Sequence, residues 1–287
     1  MTNKVFVYGT LREGEVNHDL IQLYVKSVKK ATMKGWMVNV GHYPAVVTGS
    51  GIVKGELIEL TNPEEAFRVM DELEEYYGKN SKLNYYERIK TTVITDEGKK
   101  EDCEVYVFPE REKEDLTRKY PLIVNGDWKR RNQKTHILYF AYGSCMSRNS
   151  FREDVPEFEV IGRAVLENYQ VAFTRYSDQR KGGVADILYT PGSVMEGVLY
   201  LVPTEYLKNL DAREGATAKN LAYQRITVHV KIDGIELPVY TYEVVNKSDK
   251  EIAPSDEYMG LIIDGSDLLS EEYRKVLMEK MVDLRKE

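Results

Sequence analysis

Apolar positions along this chain fall into two kinds of run. One is a compact block of β-type residues ended by Tyr-Gly and a small hydroxyl residue: VFVYGT at Val5–Thr10 and LYFAYGS at Leu138–Ser144. Such short blocks predict buried strands. The other kind alternates apolar and polar residues, in YYERIKTTVIT and YQRITVHVKI, the period of a half-buried strand. Each alternating run is followed by an Asp-containing Gly turn (Asp96-Glu97-Gly98; Asp233-Gly234) and a further strand, which predicts two β-hairpins. Helical signals stand between the blocks and the hairpins. Asn62 is placed as a cap, Pro63 as the first helical residue and Glu65 at the third position. Ala66, Val69, Met70 and Leu73 then share one face, and the helix is expected to end near Gly78. Pro203-Thr204-Glu205 opens a second helix with Tyr206, Leu207 and Leu210, stopped by Gly215. A C-terminal helix is predicted from about Ser270, with Tyr273, Val276, Leu277, Met281 and Leu284 on its apolar face.

The elements come in the same order twice. Tyr8-Gly9-Thr10 matches Tyr142-Gly143-Ser144 at an offset of 134, and Val53-Lys54-Gly55-Glu56-Leu57 matches Met195-Glu196-Gly197-Val198-Leu199 at 142. Met70–Glu74 matches Leu210–Glu214 at 140, and Tyr86-Glu87-Arg88 matches Tyr223-Gln224-Arg225 at 137. Val105-Tyr106-Val107 matches Val239-Tyr240-Thr241 at 134. A period this long exceeds any solenoid repeat and indicates two copies of one domain. The expected domains are 1–130 and 136–287, joined through the polar stretch GDWKRRNQKTH after a turn at Asn125-Gly126. Parallel strand–helix alternation is weak, so the expected class is α+β with a mostly antiparallel sheet, closed as a small barrel.

Composition narrows the function. The 287 residues are 42% hydrophobic, and the 21 tyrosines against 7 phenylalanines suit walls that are apolar but end in hydroxyls. A net charge of -7 argues against nucleic acid as a partner, and Lys129-Arg130-Arg131 with Lys134 reads as linker. Cys103 and Cys145 are the only cysteines and form no Cys-x-x-Cys pair, so neither a zinc ribbon nor a disulfide framework is suggested. With no signal-like segment at the start and no long apolar run, the chain is expected to be cytoplasmic and free of membrane.

Chemistry present in both copies is sparse. Gly9 and Gly143 end strands, either as ordinary turns or as places where successive backbone N–H groups converge on an anion. The loop does not fit a GxxxxGK[ST] nucleotide cradle. Glu74 and Glu214 each stand at a helix C-terminus, the unfavourable end for an anion. A single such residue reads as a solvated charge; its repetition favours a function, while neighbouring Glu75 keeps the surface reading. None of His18, His42, His136 and His229 has a counterpart, and Cys145 aligns with Leu11, which excludes a shared cysteine nucleophile. Thr10 and Ser144 lack a repeated base. One carboxylate beside an anion-holding loop suits a substrate that brings its own nucleophile.

These residues resemble the γ-glutamylcyclotransferase superfamily over nearly the whole chain. FAYGSCMSRN is similar to its YGSN loop, and VFVYGTLREGEVNH to the YGTL variant of the γ-glutamylamine cyclotransferase branch. LDAREG, YQR and RKGGVADILYTPGSVMEGVLYLV are similar to the second half of the family pattern. The resemblance implies two tandem small β-barrels with flanking helices, each with a cavity and a catalytic glutamate mapping to Glu74 and Glu214. Substrate contacts would come from Tyr8, Gly9, Thr10, Leu11 and Tyr43 in the first copy, and Tyr142, Gly143, Ser144, Cys145 and Met146 in the second. The partner implied is a small γ-glutamyl compound, cyclised to 5-oxoproline with release of its amine, and no metal or cofactor is required. Cys145 stands where the family usually has Asn, which predicts weaker or differently aimed carboxylate capture. Tyr43-Pro44 is expected to line the first pocket, or else to form a turn with an aromatic plug; Tyr258 and Tyr273 are expected to pack in the core rather than close the second. The competing readings are a small-molecule binding module with one or both copies inactive, and an interaction protein that keeps only the fold.

Overall fold

The structure, a computed structural model, describes residues 2–217 and 221–286. The chain divides into two compact units, Met1–Lys134 and Thr135–Glu287. Each contains a closed five-stranded barrel. In the first unit β1 (Lys4–Val7) is followed by a hairpin of long strands, β2 (Val25–Asn39) and β3 (Pro44–Leu60). Then come helix α1 (Pro63–Leu73), the hairpin β4 (Glu87–Thr95) and β5 (Lys100–Val107), and helix α2 (Lys113–Lys119). The barrel order is β1-β3-β2-β4-β5. All its pairs are antiparallel except β1 with β5, which run parallel with Phe6 opposite Val105. That parallel pair joins strands at opposite ends of the sequence and leaves both C-terminal ends on one rim.

The second unit repeats the plan with β6 (His136–Ala141), short α3 (Arg148–Arg152), β7 (Glu159–Ser177), β8 (Gly182–Pro203), α4 (Leu207–Arg213), β9 (Tyr223–Ile232) and β10 (Ile235–Val244). Its order is β10-β6-β8-β7-β9, again closed by one parallel pair, here β6 with β10. Two helices follow, α5 (Asp256–Gly265) and α6 (Glu271–Asp283). Among the described residues no helix is long and apolar enough to cross a membrane.

Local signals account for much of this. Asn62 caps α1 by accepting from the Glu65 N–H, and Pro63 opens it. The helix ends at Leu73 rather than near Gly78, because Glu74 caps it and Glu75 turns the chain with φ +50°. Pro203 opens not an α-helix but a 3-10 turn at Thr204–Tyr206, which then runs into α4. The β9–β10 turn has positive φ at both Asp233 and Gly234, the type I′ geometry that matches strand twist. Ser270 caps α6 as expected, and Leu277 and Met281 are buried, but Val276 is 60% exposed and off the packed face.

Phe6, Met33, Met37, Val46, Val53, Leu57, Val93 and Val105 fill the first barrel. Trp128 is fully buried in the same core, with the Arg131 guanidinium 4.1 Å over its ring. Lys129 donates to Glu56 and to the Glu13 carbonyl. The segment read as linker is therefore the last part of the first barrel, held by an apolar anchor and an ion pair.

The repeated Gly55 and Gly197 have one cause. A Cβ on Gly55 would lie 2.4 Å from the Val7 carbonyl oxygen and 2.6 Å from the Phe6 ring; on Gly197 it would lie 2.5 Å from the Ala141 carbonyl and 2.6 Å from Phe140. The β3–β1 and β8–β6 crossings just before each Tyr-Gly loop thus need a bare backbone. Gly55→Ala is expected to lower the stability of the first domain by about 1–3 kcal/mol, read as a fall in its urea midpoint.

Candidate active site

At the C-terminal end of β1 the chain leaves the sheet. Tyr8 donates its hydroxyl to the Tyr106 carbonyl of β5 (2.7 Å), which ties the loop to the parallel neighbour. The Arg12 N–H closes a turn on the Gly9 carbonyl, and Asn17 secures Thr10 twice, N–H to carbonyl and Nδ2 to Oγ1. Among the described residues no acceptor takes the N–H groups of Gly9, Thr10 and Leu11. Gly9 lies against Pro44, where a Cβ would come within 2.7 Å of the ring. This loop forms one wall of a cavity of about 410 Å3.

The end of α1 lines the same cavity. Glu74 lines the cavity, and burial alone pushes its carboxyl up to about 7. Among the described residues no side chain hydrogen-bonds that carboxylate. Its backbone is fixed on both sides: its N–H bonds the Met70 carbonyl and its carbonyl accepts from the Tyr86 N–H. The last turn of α1 is bolted to the barrel through Asp71. Tyr106 of β5 donates to Asp71 Oδ1 at 2.6 Å, and Arg88 of β4 to Oδ2 at 3.0 Å, with its guanidinium over the Phe67 and Tyr76 rings. Tyr43, Pro44, Tyr85 and Tyr86 complete the wall; the Tyr43 and Tyr85 hydroxyls meet at 2.6 Å, and Tyr86 donates to the Pro44 carbonyl.

The second barrel has the same parts. Tyr142 donates to the Tyr242 carbonyl, Tyr242 and Arg225 both donate to Asp211, and Tyr223 donates to the Ala185 carbonyl as Tyr86 does to Pro44. These bonds show that Tyr106 corresponds to Tyr242, not to Tyr240. The repeat slips by two residues in the last strand, which keeps every side chain on the same face.

The space between the parts differs. Here the cavity is about 20 Å3. Tyr258 of α5 enters it, 5% exposed, and its hydroxyl accepts the Ala185 N–H at 3.1 Å. The same hydroxyl would stand 3.2 Å from a Cβ on Gly143. Tyr258 therefore fills the pocket rather than the general core; Tyr273 does not line it. Glu214 is not free. Its Oε1 accepts from the Tyr139 hydroxyl at 3.1 Å and from the Cys145 thiol at 3.0 Å, and Arg213 Nε donates to the Cys145 sulfur. Burial raises the Glu214 carboxyl, opposed by Cys145, Arg213 and Tyr139. Burial, then Glu214, pushes the Cys145 thiol up to about 12, so it stands protonated as a donor. The thiol at this position is aimed at the glutamate itself rather than into the pocket. Met146 lies outside this pocket; it is buried beneath Gly265 of α5, and its carbonyl accepts from Tyr200.

Residues 5–130 match the family model described as γ-glutamyl cyclotransferase, AIG2-like, and residues 194–277 match the AIG2-like family. Over 297 aligned positions, covering 100% of both chains, the protein is 31% identical to YkqA of Bacillus subtilis (strain 168), provisionally named a γ-glutamylcyclotransferase. The chain belongs to the γ-glutamylcyclotransferase family. A crystal structure of YkqA is similar over 99% of both chains at 30% identity, with a TM-score of 0.47. A further family relative, the γ-L-glutamyl-butirosin B γ-glutamyl cyclotransferase of Niallia circulans, is 40% identical over 90 residues, 31% of this chain and 56% of its own.

Within this γ-glutamylcyclotransferase fold, Asp71, Arg88 and Tyr106, with Asp211, Arg225 and Tyr242, went unread in the sequence. Their signal was present, since the aspartates and arginines recur at the repeat offsets. Only contact across strands shows that they fix the helix end.

The raised Glu74 carboxyl has a consequence for stability. A carboxyl whose folded pKa lies above the unfolded value contributes stability that is complete below about 4.5 and is lost as pH rises through about 7. Glu74→Gln is therefore expected to become more stable than wild type between those pH values and to stay so above them. Parallel urea titrations at pH 4.5 and pH 8 check this; equal differences at both would show that Glu74 is not buried as a charge.

Proposed function

We propose that the first domain cyclises γ-glutamyl amines or γ-glutamyl amino acids to 5-oxoproline, with Glu74 as the group that moves the proton. The observation that carries this reading is a carboxyl lining an open cavity, raised to about 7 by burial, in the same cavity as a loop with unclaimed N–H groups. A γ-glutamyl amide holds its α-amine within five-ring distance of its own γ-carbonyl, so nucleophile and electrophile arrive already paired. Positioned intramolecular attack can supply about 7–11 kcal/mol of the barrier. The protein then has to move protons and hold charge.

The α-ammonium gives a proton to the Glu74 carboxylate, and the freed amine attacks the γ-carbon, forming the ring C–N bond. The carbonyl electrons move to oxygen. The N–H groups of Gly9, Thr10 and Leu11 are suited to that oxyanion or to the substrate α-carboxylate. As the tetrahedral centre collapses, the bond to the amide nitrogen breaks and the protonated Glu74 supplies the hydrogen that nitrogen needs; the regenerated carboxylate then takes the second proton from the ring nitrogen and passes it to the departing amine, which leaves as its ammonium with Glu74 ionised again. A pKa near neutrality serves both steps, because neither the acid nor the base form is rare at pH 7.

The second domain keeps the glutamate but fills the space with Tyr258 and satisfies Glu214 with its own thiol and hydroxyl. We assign turnover to the first domain alone. Glu74→Gln is expected to lower kcat/KM for 5-oxoproline release by about 10^2–10^4, whereas Glu214→Gln keeps most of the activity. The wild-type kcat/KM profile should fall on the acid side with an apparent pKa near 7, as Glu74 takes up its proton. Full activity in Glu74→Gln would refute the assignment, and loss in Glu214→Gln alone would move it to the second domain.

A further inference from the structure

Glu74 and Glu214 are each followed by a residue with positive φ. In the second domain it is Gly215, φ +64°, the residue such a backbone favours. In the first it is Glu75, φ +50°. The two positions are equivalent in their bonding: the Gly215 carbonyl accepts from the Ala222 N–H at 3.0 Å, and the Glu75 carbonyl from the Tyr85 N–H at 3.1 Å. The working domain therefore carries a side chain in a left-handed conformation where its twin has glycine. Such strain persists where the side chain has a use.

Glu75 lines the same cavity as Glu74, next to Tyr85, which is 39% exposed and forms a T-shaped pair with Tyr43. Among the described residues no Lys, Arg or His lines this cavity. Arg111 is taken by the Asn84 carbonyl and by Glu87 and Glu112, Arg88 by Asp71, and the buried Arg12 by Glu56 and Asp127. His18 is bonded to the Leu11 carbonyl. Beside Glu74, the cavity thus presents the Glu75 carboxylate next to the Tyr43 and Tyr85 rings, with no cationic side chain among the described lining residues.

We infer that Glu75 selects γ-glutamyl amides whose leaving amine carries a second, protonated amino group, such as a mono-γ-glutamyl diamine, over neutral amides and over γ-glutamyl amino acids. This deepens the cyclotransferase reading and rests on it for the catalytic step. The distal ammonium meets the Glu75 carboxylate at the mouth while the Tyr43 and Tyr85 rings flank its methylene chain. An exposed ion pair with one aromatic contact is worth roughly a five- to tenfold preference.

The test compares the γ-glutamyl amides of butylamine and 1,4-diaminobutane, which differ by one charge. Wild type is expected to show a kcat/KM roughly five- to tenfold higher for the diamine compound, shrinking as salt is raised. In Glu75→Gln and Glu75→Gly the ratio falls toward one through loss on the cationic compound. Glu75→Gly should also unfold at a higher temperature than wild type, since it relieves the strained φ, so misfolding cannot account for the lost preference. Calorimetric binding of both compounds to Glu74→Gln reads selectivity without chemistry. Selective binding with no cyclisation in wild type sinks the catalytic reading and keeps this one. Equal turnover of the two amides by wild type, or a preference unchanged in Glu75→Gln, overturns the role of Glu75 and leaves the catalytic reading standing.

Discussion

Everything at the first site depends on keeping a carboxylate where a helix least wants one. The C-terminal end of α1 presents carbonyl oxygens, and the surrounding wall of tyrosines and proline offers little solvation. Left to itself, the helix end would fray and turn Glu74 to water. Asp71 prevents this. It sits one turn earlier and is held by a hydroxyl from β5 and a guanidinium from β4, so the helix end is clamped to two neighbouring strands. The same β5 carbonyl run receives Tyr8, which places the loop. Loop and glutamate thus share one reference strand, and the space between them is fixed by the parallel closure of the barrel.

The second barrel has the same clamp and resolves the buried carboxylate differently. Glu214 is given internal donors: a thiol that burial keeps protonated, and a tyrosine hydroxyl. Tyr258 takes the remaining room. A buried carboxylate with its partners built in is a structural group; one without them is incomplete until something enters. In the cyclotransferase reading proposed for this domain, the ammonium of a substrate is the complement that the first site lacks. The distinction between the domains is therefore one of hydrogen-bond accounting rather than of the presence or absence of a glutamate.

Sequence pattern carried the two-fold repeat, both β4–β5-type hairpins, the Asn62 cap and the two glutamates, because each is written within a few consecutive residues. What it missed is carried by contacts distant along the chain. Tyr258, expected in the core, lies 73 residues from Ala185 in sequence, and only the folded chain brings its hydroxyl to that N–H. The pairing of Tyr106 with Tyr240 is off by two because a shift of two leaves the alternation intact; only the hydroxyl bonds to Asp71 and Asp211 show that Tyr106 corresponds to Tyr242. Trp128 looked like linker because its neighbours are basic, yet its single large side chain outweighs them by burying itself under Arg131.

A duplicated domain is a controlled comparison, since both copies share the clamp, the loop and the barrel. Where they agree, the requirement is architectural: Gly55 with Gly197, Asp71 with Asp211 and Tyr86 with Tyr223 all answer to the same crossing or bond. Where they part, the fold has no stake in the choice, and the difference reports on use. Gly215 against Glu75 is such a place, and so is Cys145 against Leu11. In the second domain each substitution moves toward relaxation and closure, with glycine at the left-handed position and a thiol on the glutamate. In the first, the strained residue is charged and the half-buried glutamate is bare of side-chain partners among the described residues. A domain under pressure only to fold would drift toward the second solution, so the persistence of the first points to a ligand that completes it.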